Sequence, residues 1–168
     1  MNDFTFMLEQ GMRAFSTKGG FLTVKCRDQV NTMTISWGFI GFMWGNPHFI
    51  AVVRPQRYTN ELLAQGVDCF TVSTPLDGAL SEELSICGTK SGRDIDKRKV
   101  VTFIPGKAVD CPVVEGCGLY YECKINLAQQ MDGSLLADNI LKQFYQDDYH
   151  FMYIGEIVEI YTACSKSS

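Results

Sequence analysis

The chain has 168 residues and a formal charge of −4 at pH 7, with 46% hydrophobic and 20% charged residues. That is the size of one domain, here 1–168, able to bury roughly 70% of its unfolded surface, and it lacks the sustained basic face that nucleic acid requires. No apolar run approaches the ~18 residues of a membrane span, and Met1-Asn-Asp-Phe-Thr-Phe has no basic stretch of the kind that opens a secretory leader.

Taken in order, the pattern predicts a short helix over Phe4–Phe15 and a break at Lys18-Gly19-Gly20. Strands follow at Phe21–Cys26, Thr32–Trp44 and His48–Arg54, runs rich in β-branched and aromatic residues. Gly45-Asn-Pro47 reads as a hairpin loop joining antiparallel neighbours. Thr59–Gln65 is a helix closed by Gly66, a usual residue just past a helix end. Cys69–Ser73 is a strand, Pro75–Gly78 a turn, and Ala79–Cys87 a helix closed by Gly88. Strands at Val100–Ile104, Leu119–Leu127 and His150–Tyr161, with a helix over Leu136–Tyr145, complete the set. Many strands without a regular strand–helix alternation favour an antiparallel barrel, mostly β with short helices, over a doubly wound sheet.

Seven cysteines, at 26, 69, 87, 111, 117, 123 and 164, form no Cys-x-x-Cys pair. An odd count without a leader points to reduced thiols in the cytoplasm. The two histidines, His48 and His150, stand far from close cysteine pairs, so the thiols read as buried small hydrophobes rather than zinc ligands.

Three segments carry chemistry. In the strand Asn31-Thr-Met-Thr-Ile-Ser-Trp37, alternate side chains share a face, which aligns Thr32, Thr34 and Ser36 as a row of hydroxyls. A buried row needs hydrogen-bond partners, which a heteroaromatic ring would supply; an exposed β face is the plainer account. In Arg54-Pro-Gln-Arg-Tyr-Thr-Asn-Glu61 a strand hands over to a helix, with Thr59 as the expected N-cap. Two guanidinium forks beside a helix start suit a phosphate, whereas two surface arginines beside Glu61 would contribute little. The third, Cys87-Gly-Thr-Lys-Ser-Gly-Arg-Asp-Ile-Asp-Lys97, is a basic glycine-bearing loop that matches neither a Walker A motif nor a dinucleotide fingerprint. Cys87 reads as a buried helix-end residue rather than a reactive thiol.

In this order, Asn31–Gly38, Arg54–Glu61, Cys87–Lys97 and the closing His150-Phe-Met-Tyr-Ile-Gly-Glu-Ile157 resemble the flavin reductase-like, FMN-binding split-barrel family, and within it the flavoredoxin branch. The resemblance runs from about Gly19 to Glu159; the first ~18 residues and Met131–Asp147 match none of its motifs. It implies a split β-barrel homodimer with FMN near the interface. Asn31, Thr32, Met33 and Thr34 would then face the isoalloxazine and ribityl chain, with Ser36 continuing the row. Arg54, Arg57, Tyr58 and Thr59 would surround the phosphate, and Ser91, Gly92 and Lys97 would belong to the cofactor-side loop. His150 would stand near the flavin and a nicotinamide pocket as the catalytic candidate, although a lone histidine on an apolar strand is more often a core residue. Lys97 or His150 near the pyrimidine edge would raise the flavin potential by favouring its reduced anion.

Three readings stay open on these residues: an FMN-dependent oxidoreductase, reduced by NAD(P)H or by a redox protein; an FMN electron carrier between protein partners; and a non-redox module for another phosphorylated ligand.

Overall fold

The computed structural model describes residues 3–76 and 78–163. Met1 and Asn2 of the leader reading, Asp77 of the expected turn and Cys164 lie outside the described residues. A helix α1 (Leu8–Lys18) ends where the Lys18-Gly19-Gly20 break was expected, with Gly19 at φ 87° and its N–H donating to the Phe15 carbonyl. Strands β1 (Gly20–Cys26) and β2 (Gln29–Ile35) form a hairpin through Arg27-Asp28.

The run expected as one strand over Thr32–Trp44 is two. β2 stops at Ile35, Ser36-Trp37 turn away, and β3 (Gly38–Met43) pairs with β4 (Asn46–Val53). The tight turn is Trp44-Gly45 rather than Gly45–Pro47, with both residues at positive φ, 52° and 80°, as a two-residue hairpin of the right twist needs. A short helix α2 (Tyr58–Leu63), β5 (Cys69–Thr74) and α3 (Ser81–Thr89) follow. Gly88 lies inside α3, which Lys90 caps, so it does not close that helix.

The expected strand at Val100–Ile104 shrinks to β6 (Phe103–Ile104), paired with β7 (Val113–Val114), because Lys97–Lys99 form a 3-10 turn first. Two long strands, β8 (Leu119–Gln130) and β9 (Phe151–Thr162), flank a helix α4 (Asp138–Phe144). The main sheet runs β2-β1-β5-β8-β9-β4-β3, antiparallel throughout. It does not close, so β2 and β3 are its two edges: a split barrel. Bulges near Glu122/Cys123 and Ile125/Leu127 give β8 and β9 the bend such curvature needs.

Inside the curve, Phe15, Leu22, Val24, Phe49, Phe70, Val72, Tyr121 and Ile157 form the main core. On the other side, Phe21, Leu84, Cys87, Val113, Tyr120 and Tyr161 pack α3 and the β6–β7 pair against the sheet. Among the described residues no helix is long and apolar enough to cross a membrane.

Candidate functional site

Because β2 is an edge, its outer margin faces α2, α3 and the loop from Lys90 to Lys97 instead of another strand. The hydroxyl row on it is less uniform than the alternation suggested. Thr32 is fully buried; its hydroxyl accepts from Thr23 Oγ1 at 3.0 Å and donates to the Leu22 carbonyl at 3.2 Å. Thr34 donates to the Leu84 carbonyl at 2.6 Å, and Ser36 is exposed where the strand ends. The protein thus satisfies Thr32 and Thr34 by itself, so the row does not by itself require a ligand.

At the corner after β4, Thr59 is not the N-cap. Arg57 takes that position with extended backbone and no side-chain cap, and the buried Thr59 hydroxyl accepts from Asn31 Nδ2 at 2.9 Å. This bond ties β2 to α2. Arg57 donates to the carbonyls of Gly88, at 2.8 Å, and Cys87, at 3.3 Å, at the C-terminal end of α3. Two of the five donors on its guanidinium are spent there, leaving the rest for a ligand. Burial lowers its pKa, yet an arginine stays charged at any working pH.

Arg54 is more heavily engaged. It meets Asp148 Oδ2 at 2.5 Å and the Phe144 carbonyl at 2.8 Å, and lies over the Tyr145 ring at 5.2 Å. Glu61, which the sequence set beside Arg54 and Arg57, pairs with Arg93 instead.

In the basic loop, Lys97 is only 2% exposed, and its Nζ donates to the Lys90 carbonyl at 2.5 Å and to that of Ile86 at 3.5 Å. Burial pushes its pKa down, and the nearby Arg57 adds to that. Lys97 therefore holds the loop onto α3 from within. Cys87 beneath it is buried, and desolvation raises its thiol pKa, the opposite of an activated nucleophile. Gly92 is where the loop touches β2: a Cβ there would stand 2.0 Å from Asn31 Oδ1.

The third side comes from the far end of the chain. His150, just before β9, is 6% exposed; its Nδ1 lies 3.0 Å from Tyr145 Oη and its ring 5.2 Å from that of Trp37. Burial, aided by Arg54, lowers its pKa to about 4 against the pull of Asp148, so the imidazole is neutral at pH 7. His48 sits elsewhere in the sheet, with Nδ1 2.9 Å from the Asn46 carbonyl.

These side chains meet along one groove. Its aromatic end, about 260 Å³, is lined by Met33, Thr34, Ser36, Trp37, Val52, Arg54, Gln56, Arg57 and His150. Its polar end, about 110 Å³, is lined by Asn31, Thr32, Met33, Gln56, Arg57, Tyr58, Thr59, Thr89, Lys90, Ser91, Gly92 and Arg93. Met33, Gln56 and Arg57 belong to both ends. All the sequence-predicted site residues except Lys97 line this groove, and Lys97 stands behind its loop.

Sequence reasoning missed Phe144 and Tyr145, which reach the site from the stretch without motifs, Asp148 just after it, and Trp37, which the strand reading gave to the opposite face from the hydroxyls. The aromatic cluster Phe144-Tyr145 before His150 is the one signal that could have suggested them. Among the described residues no three His, Cys, Asp or Glu side chains gather into a metal-binding group.

The flavin reductase-like domain matches residues 12–167, nearly the whole chain. The chain belongs to that family. At the level of the family, this is flavin-linked redox chemistry. Solved structures that this flavin reductase-like chain resembles include the flavoredoxin of Desulfovibrio vulgaris (Miyazaki F), 24% identical over 88% of this chain and 70% of that one, with a TM-score of 0.66. An FMN-binding protein from Thermus thermophilus is 21% identical over 85% and 68%, TM-score 0.66. An NADH:FAD oxidoreductase of Streptomyces globisporus C-1027 is 17% identical over 94% and 82%, TM-score 0.66. At such identities the likeness is one of fold. No curated protein matches the chain.

Proposed function

We propose that the chain is an FMN-dependent oxidoreductase of the flavin reductase type, working as a homodimer, with a reduced nicotinamide nucleotide as electron donor. One observation carries this reading: a single groove along the free margin of β2 has a ring-sized aromatic end at Trp37 and His150 and a cationic, hydroxyl-rich end at Arg57, Thr59, Thr89 and Ser91. A flat heteroaromatic joined by a polyol to a phosphate has the same order of parts. The cavity volumes together reach the lower end of the ~300–1,000 Å³ usual for ligand sites.

The residues fit such a group. Arg57 keeps donors free while two carbonyls fix its plane, which suits bidentate contact with phosphate oxygens. The close packing of Gly92 on Asn31 brings loop amides to the margin of the groove, where a larger residue would fill it. When bound, the flavin supplies a ring able to accept electrons or hydride and pass them on.

The chain's own part is positioning. Tyr145 Oη has two neighbours, His150 Nδ1 at 3.0 Å and Met131 sulfur at 3.4 Å. Nitrogen is the better acceptor, so the hydroxyl proton points to Nδ1 and the neutral imidazole keeps its own proton on Nε2. His150, itself lining the groove, is thereby a hydrogen-bond donor towards a ring edge rather than a proton-transfer acid.

Anaerobic mixing of the purified chain, FMN and NADH or NADPH tests the reading. Bleaching of the bound flavin's visible absorbance is expected. A chain that binds FMN but is reduced only through a protein partner would be an electron carrier. One that ignores FMN would be a module for another phosphorylated ligand.

A further inference from the structure

The groove does not end at its polar end. Beyond Gly92 a polar hollow of about 580 Å³ opens between the β1–β2 turn and the 92–98 segment, with Arg27, Gln29, Asp96 and Arg98 in its walls. Asn31, Tyr58, Gly92 and Arg93 line both spaces and so form the partition between them. There the main chain at Gly92 is pressed onto β2 and α2: an added Cβ would lie 2.0 Å from Asn31 Oδ1 and 2.8 Å from Tyr58 Cδ1.

The partition has a firm side and a yielding side. Asn31 is buried and anchored by its amide to Thr59. The loop side is held by Arg93, whose Nη2 and Nε donate to Glu61 Oε2 at 2.6 and 3.2 Å, while Nη1 reaches the Gln56 carbonyl at 3.4 Å. Its guanidinium lies 5.1 Å from the centre of the Tyr58 ring. Arg93 and Glu61 are about half exposed, with side chains 45% and 53% accessible. An ion pair this exposed is weak, so it can open.

We propose that the Arg93–Glu61–Tyr58 latch makes the site select flavin mononucleotide over flavin adenine dinucleotide, the hollow beyond it being the space an adenylate would need. This rests on the flavin reading above. A phosphomonoester terminates at Arg57. A dinucleotide carries a second phosphate and an adenylate onward from the same point, and they meet the partition. Binding the dinucleotide then requires the Arg93 side to lift, and the latch energy is subtracted from its affinity alone.

The test is a fluorescence titration of the full chain with FMN, FAD and riboflavin, for the wild type, Glu61→Gln and Arg93→Ala. Glu61→Gln weakens the latch by removing the carboxylate charge while keeping the Arg93 cation at the groove. The wild type is expected to bind FMN at least about tenfold more tightly than FAD. Releasing the latch should tighten FAD binding roughly three- to fivefold, as fits a weak exposed pair, with FMN affinity unchanged in Glu61→Gln. In Arg93→Ala both flavins weaken through the lost cation, and the FMN:FAD ratio narrows. The latch is overturned if the wild type binds FAD as well as FMN, or if both variants keep the wild-type ratio. Failure of all three flavins to bind would instead overturn the flavin reading, and the latch with it.

Discussion

Tyr145 Oη lies 3.0 Å from His150 Nδ1, joining the residue that caps α4 to the residue that precedes β9. The contact holds a buried, uncharged imidazole at the aromatic end of the groove. His150 titrates near 4 in the folded chain against 6.5 when unperturbed. Between those values the unfolded chain binds the extra proton, so stability increases with pH. This contribution is complete above about pH 6.5 and lost as pH falls to about 4; its size is on the order of 1–3 kcal/mol. Urea denaturation at pH 7 and pH 5 should therefore show a larger loss in the wild type than in His150→Gln. Equal losses would remove His150 as the source. Asp148, held near 2 chiefly by the Gln146 amide, with help from Arg54, loses its contribution only at lower pH and does not overlap this window.

The two arginines of the corner are not equivalent. Asp148 already neutralises Arg54, whereas Arg57 faces only carbonyl oxygens among its described partners. Arg57→Ala should weaken FMN binding by about 1.5–3 kcal/mol, the range for a charged hydrogen bond, and Arg54→Ala by less. A titration in which Arg57→Ala binds FMN like the wild type would remove the phosphate assignment.

How much of this could be read from the sequence depended on whether the information was local. Breaks at Gly19, strands of β-branched residues and the ordered motifs are local, and they sufficed for the sheet and for most of the groove. Thr32–Trp44 was misread because both halves are rich in strand-forming residues with no proline or polar turn pair between them, while the change of sheet edge at Ser36-Trp37 is set by what each half pairs with. Thr59 had the right chemistry for a cap, but a partner 28 positions earlier, Asn31, claimed its hydroxyl. Arg54 looked free because its carboxylate, Asp148, arrives from 94 residues away. Side-chain partners so distant leave no trace in spacing.

Glu122 illustrates the same limit and makes a stability prediction. It is fully buried on β8, and its carboxylate accepts from the amides of Lys107, Ala108 and Val109 at 2.6, 2.6 and 3.0 Å and from Tyr161 Oη at 2.7 Å. One side chain thus closes the 105–111 loop. Glu122→Ala strands those donors, and with about 1–3 kcal/mol for each buried unsatisfied group the loss should be on the order of 3 kcal/mol or more. Urea denaturation measures it, and hydrogen exchange should report faster opening of residues 107–109. A loss under about 1 kcal/mol would mean that water replaces the carboxylate.

The proposed homodimer has a specific surface in its favour. Phe39, Ile50, Ile154 and Leu127 stand in one row across β3, β4, β9 and β8, since each is the register partner of the next. Residues directly opposite share a face, so this row is an apolar stripe on the sheet, and Phe39 is 62% exposed at its edge. One step along β4 on the same face is Val52, which lines the groove with Trp37 and His150. Ile154 within the row is buried, so its exposed parts are Phe39 on β3 and Leu127 on β8; an exposed aromatic on an uncovered edge strand marks a contact site and invites pairing. A second copy seated on the stripe would also wall the aromatic end of the groove and shield Trp37. Light scattering should give twice the chain mass. Phe39→Lys should halve it and weaken FMN binding in step, because the monomer leaves that end open to water. A monomeric wild type that binds FMN fully would rule out the interface as part of the site.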